Sequence, residues 1–273
     1  MLKLQNRSVI KVGGPDAQRF LHNITTNNVA DMCTHSTLYN LILNSKGRYV
    51  FDFFLTRCDG YFLIECENAD AVGIAEILKN YRLKLKVRIK ICDEYVVYLD
   101  PNQNIGEEGH TLINESGVIV YQDPRKAVMG TRILQPLAQE EGNSSTGCGT
   151  GDYHKLRVAN TIPECSSEML RGESFPMHYS LDELNAICRN KGCYIGQEVT
   201  ARMQRVGSKK RLYTIRSKTG EPLPEKGAVV QGDTQVGQVI SVIEEMGLCV
   251  LEVERVVCGG CVKIGHIECE IKT

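Results

Sequence analysis

The first hundred residues alternate between two hydrophobic periods, one typical of helices and one typical of strands. Apolar residues recur at helical spacing over residues 16–24, at Ala17, Phe20, Leu21 and Ile24, and again over residues 69–83, which predicts two amphipathic helices. Short apolar or alternating runs predict strands at 8–12, 38–43, 49–55, 61–65, 85–91 and 94–99. This order is typical of an α+β fold in which helices cover an antiparallel sheet, and it is consistent with a ferredoxin-like half.

Residues 100–151 carry a weaker pattern. Strands are predicted at 117–121 and 127–134, and the run from Gly142 to Gly151 consists of small and polar residues. That run lacks the GKS and GxGxxG spacings of phosphate-binding loops, so it is predicted to be a flexible loop. A further helix is predicted to begin at Asp152.

The pattern changes beyond residue 212, where short strands at 212–216, 228–231, 235–242 and 248–253 are separated by glycines. Turn signals at close, regular spacing without a helical period favour a small β-barrel or sandwich. The break lies near Gly207. We therefore predict two domains, residues 1–206 and residues 207–273, of which the second is a small C-terminal β-barrel.

Composition limits the classes of function. The chain has 273 residues, of which 42% are hydrophobic and 24% are charged, and its net charge of −1 argues against a generally basic protein that coats nucleic acid. Its apolar runs fall short of the roughly 20 residues that cross a bilayer. The N-terminus turns polar at Lys3 and lacks the apolar core of a signal peptide. These features predict a cytoplasmic protein without membrane contact.

Cysteine is frequent, with twelve residues scattered along the chain. A chain of this length folds without disulfides, so most of these cysteines are predicted to be reduced and buried, as in the strand-like runs around Cys58, Cys66 and Cys92.

The C-terminal tail contains a candidate metal motif. Cys258 and Cys261 have the spacing of a zinc or iron knuckle, and His266 and Cys269 follow as further soft donors. The two glycines between the first cysteines equally suit a tight hairpin, and Cys269 lies in an alternating, strand-like run. Both interpretations stay open, as does redox activity of these thiols, and no metal site is assigned.

The densest group of unusual residues is the octet Lys191-Gly192-Cys193-Tyr194-Ile195-Gly196-Gln197-Glu198. Its two glycines allow the backbone to turn sharply beside the thiol, and the residues after Gly196 suit a short helix. Free amides at that helix start, together with the charge of Lys191, would favour the Cys193 thiolate. A reactive cysteine is therefore predicted; the alternative is a packed turn in which Cys193 is a small hydrophobic residue.

The octet resembles the signature of the YgfZ family, Lys-Gly-Cys-Tyr-x-Gly-Gln-Glu. Three weaker agreements accompany it, at residues 20–27, 47–52 and 153–163. Proteins of that family are relatives of the glycine-cleavage aminomethyltransferase, bind folate and support iron-sulfur proteins. The resemblance implies an aminomethyltransferase-like folate-binding domain with ferredoxin-like halves, followed by the β-barrel.

The resemblance also implies roles for individual residues. Tetrahydrofolate would lie in a central cleft bordered by Asn27, Asp52, Arg157 and Tyr194, and Cys193 would stand at the mouth of that cleft as a redox-active or iron-ligating thiol. Three further residues of the octet would orient the loop, namely Lys191, Gln197 and Glu198. We therefore expect a folate-binding accessory protein that supports iron-sulfur cluster assembly or repair in client enzymes, including those that thiolate tRNA.

Two other functions stay open. A one-carbon transferase of the glycine-cleavage aminomethyltransferase type needs an acid or base at the folate amine, and such enzymes carry two adjacent aspartates where this chain has Phe51-Asp52. On local grounds, Asp52 either faces solvent from its strand or points into a polar cavity, and Arg157 alone is an ordinary helix-face cation. A binding or scaffold protein would use the cationic cluster around residue 207, which is either a solvated hinge or a docking patch for RNA or an acidic protein. That cluster comprises Arg202, Arg205, Lys209, Lys210 and Arg211.

Overall fold

The structure is a computed structural model that describes residues 1–139, 150–256 and 260–272. Within these ranges the strands form two five-stranded antiparallel sheets and a closed six-stranded barrel. In chain order the strands are β1 (Leu2–Lys3), β2 (Arg7–Gly13), β3 (Ser36–Leu43), β4 (Tyr49–Cys58), β5 (Tyr61–Glu67), β6 (Arg88–Cys92), β7 (Tyr95–Asp100), β8 (Thr111–Ile113), β9 (Ile119–Gln122), β10 (Thr131–Pro136), β11 (Lys210–Ser217), β12 (Ala228–Gln231), β13 (Thr234–Ile243), β14 (Met246–Glu252), β15 (Cys261–Ile264) and β16 (Ile267–Lys272). The α-helices are α1 (Ala17–Ile24), α2 (Asn68–Arg82), α3 (Thr150–Ala159), α4 (Cys165–Glu168) and α5 (Gln197–Val206). Short 3₁₀ helices lie at Ala127–Met129, Leu137–Gln139 and Pro176–Tyr179.

The first sheet has the strand order β3-β4-β5-β2-β6, and helices α1 and α2 cover one of its faces. The predicted apolar stripe of α1 is confirmed, since Ala17, Phe20, Leu21 and Ile24 are all buried against that face. The other face of this sheet looks towards the second sheet.

The second sheet has the order β1-β7-β10-β9-β8. Side chains of both sheets and of the segment 162–187 form the central core. The predicted strand at 127–134 starts later than expected, because residues 127–129 form a 3₁₀ turn and β10 begins at Thr131. Gly130 turns the chain there with φ 79°, and a Cβ at this position would lie 2.2 Å from the carbonyl oxygen of Asp100.

Strands β11 to β16 close into a barrel in the order β11-β14-β13-β12-β15-β16, and inward-facing apolar residues fill it. The predicted α+β fold with a C-terminal β-barrel is therefore confirmed. Helix α5 ends at Val206 and β11 begins at Lys210; the division of the chain into domains at residue 206 stays a prediction. No helix in the described ranges is long and apolar enough to cross a bilayer.

The barrel is held against helix α3. Val158 of α3 packs with Leu212 and Leu248 of the barrel, and the Thr214 hydroxyl donates a hydrogen bond to the Val158 carbonyl at 2.6 Å. The hydroxyl of Thr161, a residue in the left-handed region with φ 58°, lies 2.8 Å from that of Thr214. Polar and apolar contacts therefore join the barrel to the segment that precedes the octet.

Candidate functional site

Lys191 fixes the octet to the end of helix α1. Its buried ammonium group donates hydrogen bonds to the carbonyl oxygens of His22 at 2.5 Å, Thr25 at 2.7 Å and Asn27 at 2.8 Å. Carbonyl groups at a helix C-terminus lack partners within the helix and favour a positive charge. Burial lowers the pKa of Lys191 to about 8. All three hydrogens of the ammonium are used by carbonyls, so Lys191 positions the loop and does not pair with the Cys193 thiolate.

Two glycines allow the octet to pack on the turn between β3 and β4. Gly196 has φ 82°, and a Cβ there would lie 2.6 Å from the carbonyl oxygen of Asn44. On the facing turn, Gly47 has φ 68°, and a Cβ there would lie 2.9 Å from the Cβ of Val199. Any side chain at either position would push the two segments apart. The backbone of the octet is therefore held on two sides, by Lys191 and by this glycine contact.

Cys193 is exposed on this fixed loop. The neighbouring Tyr194 is 9% exposed, and the Lys191 nitrogen lies 5.1 Å from the centroid of its ring. Gln197 donates a 3.4 Å hydrogen bond to the Lys191 carbonyl, and Glu198 is exposed in the first turn of α5. The alternative of a packed turn with a buried thiol is therefore not what the structure shows.

Alkylation with iodoacetamide at neutral pH is expected to separate the cysteines by exposure. Cys193 and the other exposed thiols, Cys33 and Cys261, should react, whereas buried Cys66 and Cys165 should stay unmodified until the protein is unfolded. Burial raises the pKa of Cys66 to about 12 and raises that of Cys165 as well, so little thiolate forms at either site. Peptide mass mapping before and after urea treatment measures the difference, and native labelling of Cys165 as fast as that of Cys193 would contradict it.

Asn27 lies beside the octet, but its own side chain is used within the fold. The amide nitrogen donates to the carbonyl oxygens of Tyr39 at 3.0 Å and Asn185 at 2.7 Å, and the amide oxygen accepts from the Asn28 backbone at 2.9 Å. Asn27 also borders a cavity of about 490 Å³, hereafter the Asn27 cavity. Other residues that border this cavity are Leu38, Pro124, Asp182, Ile187 and Cys188.

Asp182 stands out in the wall of the Asn27 cavity. Its side chain is only 3% exposed, its Oδ2 atom lies 3.9 Å from a guanidinium nitrogen of Arg189, and its Oδ1 atom is buried without a hydrogen-bond partner. A buried carboxylate oxygen without a donor is unfavourable by about 1–3 kcal/mol. Nothing in the sequence distinguishes Asp182 from the adjacent Glu183, which is exposed.

Asp52 faces the interior between the two sheets, which decides between its two local interpretations. The hydroxyl of Tyr49 donates to one carboxylate oxygen at 2.8 Å, and that of Tyr39 donates to the other at 3.0 Å. The Tyr39 oxygen also lies 3.4 Å from the sulfur of buried Cys165. Burial raises the pKa of Asp52, although the hydrogen bond from Tyr49 opposes this effect. Both carboxylate oxygens are therefore already occupied by groups of the chain itself.

Arg157 is not the free helix-face cation that its position alone would allow. Its guanidinium donates to His154 Nδ1 at 2.9 Å, the Ile162 carbonyl at 3.2 Å and the Ser241 hydroxyl at 3.1 Å, and it pairs with Glu168 at 2.5 Å. Arg157 also borders a wider groove of about 950 Å³, hereafter the Arg157 groove, together with the N-terminal residues 2–6 and parts of α3 and α4. The Arg157 guanidinium therefore joins α3 and α4 to strand β13.

The four residues predicted to bind folate are thus not gathered around one cavity. Asn27 borders the Asn27 cavity and Arg157 borders the Arg157 groove, whereas Asp52 and Tyr194 line neither. Cys193 also lies outside the walls of both the Asn27 cavity and the Arg157 groove. The structure brings Asn27 and Tyr194 together with Lys191, and it leaves Asp52 and Arg157 in separate networks.

A buried ionic network between the sheets was missed by sequence reasoning. Glu65 accepts from Arg132 at 2.7 Å and from Arg7 at 2.9 Å, and Asp123 forms a two-pronged pair with Arg125 at 3.0 and 2.8 Å. Arg132 also lies 3.4 Å from Asp123 and so joins the two pairs. The guanidinium carbons of Arg7, Arg125 and Arg132 lie 4.4–5.6 Å from the centroid of the Phe54 ring. The sequence signal was a charged residue inside an apolar strand, Glu65 in β5.

The cationic cluster is partly neutralised. Arg211 pairs with Glu183, and the Lys210 nitrogen lies 3.9 Å from Glu252. Three exposed members, Arg202, Arg205 and Lys209, have no ion pair within the described ranges. Arg202 and Arg205 lie in α5 and Lys209 in the link to β11, and a docking patch there stays a prediction.

The tail motif does not assemble into a metal site among the described residues. Cys258 lies outside the described ranges. Cys261 is exposed and Cys269 is buried inside the barrel, because they lie on opposite faces of the paired strands β15 and β16. His266 is 88% exposed in the turn between these strands. No group of three His, Cys, Asp or Glu side chains suited to a metal ion exists in the described part of the chain.

Comparison with known proteins gives three findings. Residues 209–273 match the family described as the CAF17 C-terminal beta-barrel domain. The iron-sulfur cluster assembly factor IBA57, mitochondrial, of Mus musculus is 31% identical over 247 residues, which is 82% of this chain and 68% of the relative; the Homo sapiens protein is 30% identical with the same coverage. The crystal structure of glycine cleavage system aminomethyltransferase T from Bartonella henselae superimposes with a TM-score of 0.82 over 100% of this chain and 84% of that chain, and at 13% identity it shows the fold alone.

These relatives also correct the predicted location of the protein. An IBA57 homologue of Neurospora crassa is 30% identical over 224 residues, 76% of this chain, and this chain spans about half of that relative, 51% of its length. It too is named mitochondrial, as are the mouse and human proteins. The predicted cytoplasmic location is therefore wrong. A polar N-terminus was not sufficient evidence for the compartment.

Proposed function

Because the chain belongs to the IBA57 family of iron-sulfur cluster assembly factors, we propose that it assists the assembly or repair of iron-sulfur clusters in client enzymes of mitochondria. The observation that carries this proposal is the exposed Cys193 on a loop held by Lys191 and by the contact between Gly196 and Gly47. Enzymes that thiolate tRNA are among the clients that we propose. The resemblance to the YgfZ family led to the same kind of function.

Cys193 would act as a temporary ligand of cluster iron. The thiol loses its proton to solvent as the Fe–S bond forms, and it regains one when a cysteine of the client replaces it on the iron. Because Cys193 is exposed to solvent, both the protein that donates a cluster and the client protein can reach its thiol. A fixed backbone reduces the conformational entropy that is lost when the complex forms. The loop therefore suits ligand exchange between two proteins.

Replacing Cys193 by serine is expected to abolish cluster delivery without unfolding the chain. The test uses cells that lack their own IBA57-family protein and express this chain in mitochondria, with the activities of iron-sulfur enzymes as the readout. Cys193→Ser should lower those activities to the level of cells without the protein, because the hydroxyl is a poor ligand for iron. Cys33→Ser is the matched control, since that thiol is exposed on another loop. Full client activity with Cys193→Ser would refute the role of the thiol.

Folate binding is the second part of the proposal, and two of the cavities that are large enough for it border residues predicted to bind folate, Asn27 and Arg157. Cavities of about 300–1,000 Å³ hold small ligands, and both the Asn27 cavity and the Arg157 groove fall in that range, at about 490 and 950 Å³. An unpartnered buried carboxylate oxygen at Asp182 fits a ligand rich in N–H donors, such as a reduced pterin. The one-carbon transferase alternative has less support, because both oxygens of Asp52 are held by tyrosines.

A further inference from the structure

Strand β6 carries a row of positive charges on one face. Its exposed residues alternate with less exposed ones, and exposed Arg88 and Lys90 follow exposed Lys86 at a constant spacing of two residues. Side chains at this spacing in a strand lie on the same face, about 7 Å apart. Ile89 and Ile91 point to the other face and pack against the core that α1 and α2 cover. The strand therefore has one cationic face and one apolar face.

The positive charge continues onto the neighbouring strand β2. Lys11 lies directly opposite Lys90 in the register of β2 and β6, and like charges in that arrangement destabilise a sheet. Lys90 pairs with Glu94 at 2.8 Å, but both side chains are more than half exposed, so solvent screens the pair. Among the described residues, Lys11, Lys86 and Arg88 have no ion pair. Unpaired charges of one sign on one face attract a partner of the opposite sign.

A cavity of about 390 Å³ lies between these cations. Lys11, Arg88 and Lys90 border it, together with Gly13 and Tyr61. Arg88 lies opposite Gly13 in the strand register, and this glycine has no side chain to fill the space. The Lys11 nitrogen lies 3.9 Å from the centroid of the Tyr61 ring. The three positive groups therefore border a recess, which concentrates their electric field more than a flat surface does.

Strand β6 is also an edge of the first sheet. It pairs with β2 and has no second neighbouring strand within the described ranges. An edge strand presents unpaired backbone N–H and C=O groups, and an extended peptide can add to it as a further strand. Lysine and arginine on an edge hinder pairing with neutral or basic strands, whereas they favour pairing with an acidic one.

We propose that β6 is a docking site for an extended segment of a partner protein in which acidic and apolar residues alternate. The segment adds to the sheet beside β6, so that its acidic side chains face Arg88 and Lys90. Its apolar side chains continue the face of Ile89 and Ile91, which are only partly buried, and this removes further apolar surface from water. The hydrogen bonds of the free edge distinguish such a segment from RNA or a lipid surface, which match the charges alone.

This docking site is separate from the exposed thiol. In the first sheet β6 lies at the opposite edge from β3, and the octet packs on the turn between β3 and β4. A segment added to β6 therefore leaves Cys193 uncovered and accessible to a second protein. Docking at β6 does not require the cluster chemistry proposed for Cys193.

Fluorescence anisotropy with a labelled peptide of alternating valine and glutamate, at about 0.15 M salt, tests the docking site on the full chain. The double variant Arg88→Glu/Lys90→Glu should weaken binding by about tenfold or more, because attractive cross-strand pairs become repulsive. Lys46→Glu/Lys226→Glu is the matched control, since both lysines are exposed elsewhere and the change in net charge is the same. This control should bind the peptide as the parent protein does; equal weakening by the two double variants would overturn the proposal.

Two further peptides test strand addition on the parent protein, so the result does not depend on how the variants fold. A peptide with the valines and glutamates in separate blocks should bind about tenfold more weakly, because its acidic side chains no longer share one face. The alternating peptide with an N-methylated backbone should weaken similarly, because it cannot donate hydrogen bonds to the edge. Hydrogen exchange of residues 88–92 should slow when the unmodified alternating peptide binds.

Three results would contradict docking of an acidic strand. The first is failure of the alternating peptide to bind the parent protein. The second is equal affinity for all three peptides, which would mean attraction between charges without strand pairing. The third is tighter binding of poly(U) RNA, or of phosphatidylcholine vesicles that contain cardiolipin, than of the alternating peptide, which would assign the cationic face to phosphate groups.

Discussion

Replacing Glu65 by glutamine is expected to lower the free energy of unfolding by about 3–5 kcal/mol, the loss typical of breaking a buried ion pair on one side. Glu65 is 1% exposed and accepts from Arg132 and Arg7, which are held in place by the two sheets. Glutamine keeps the shape but removes the charge, so two buried guanidinium groups face one carboxylate fewer. Equilibrium unfolding in urea, followed by circular dichroism, measures the loss.

The control for this substitution is an exposed ion pair of similar chemistry. Glu94 pairs with Lys90 at 2.8 Å on the surface, and both side chains are more than half exposed. Glu94→Gln should leave the unfolding curve unchanged, because solvent screens such a pair. An unfolding midpoint of Glu65→Gln that matches the parent would show that the buried network adds nothing to stability.

The same carboxylate gives the stability a defined pH dependence. Burial opposes ionisation of Glu65, but the guanidinium groups of Arg132 and Arg7 outweigh that effect and hold its pKa below the ordinary value. The ionised form therefore stabilises the fold above the unfolded-state pKa of about 4.3, and this contribution is lost as the pH falls through the lower folded-state pKa. Asp123, whose pKa is lowered by Arg125 despite its burial, acts in the same direction. The parent should thus lose stability on acidification more steeply than Glu65→Gln.

Replacing Lys191 by methionine is expected to destabilise the fold by about 2–3 kcal/mol, and it should also reduce client activity as strongly as loss of the thiol. The substitution leaves the carbonyl groups of His22, Thr25 and Asn27 without their donor, and hydrogen bonds to a charged group are each worth about 1.5–3 kcal/mol. Methionine also removes the desolvation cost of the buried ammonium, which offsets part of this sum. The octet would then lose these hydrogen bonds to the end of α1 and keep the contact between Gly196 and Gly47, so Cys193 would sample more positions.

Exposed Lys46, on the turn that faces Gly196, provides the comparison for Lys191. Lys46→Met makes the same substitution at an exposed lysine, so both stability and client activity should stay at parent values. Hydrogen exchange of residues 188–196 reports the loop directly, and it should accelerate in Lys191→Met. Unchanged exchange there would mean that Lys191 does not hold the loop.

Much of the architecture follows from local rules that are written in the sequence. The apolar period of α1, the short strands between glycines beyond residue 212, and the glycines of the octet each determine a conformation over a few neighbouring residues. Exposure of Cys193 on a turn before a helix belongs to the same class, because Gly196 and the helix start lie within four residues of it.

Only the tertiary structure decided which charged groups meet. Lys191 binds carbonyl oxygens 164–169 residues earlier in the chain, and Arg132 reaches Glu65 across 67 residues. It also left Asp182 without a hydrogen-bond donor and placed Asp52 between two tyrosines. Hydrophobic periodicity determines which face of an element is buried, whereas the partner of a buried polar group depends on how sheets from distant parts of the chain stack. The sequence by itself therefore determined the fold class and the exposed loop of Cys193, and the packing of the two sheets and the octet determined the ionic network and the cavity.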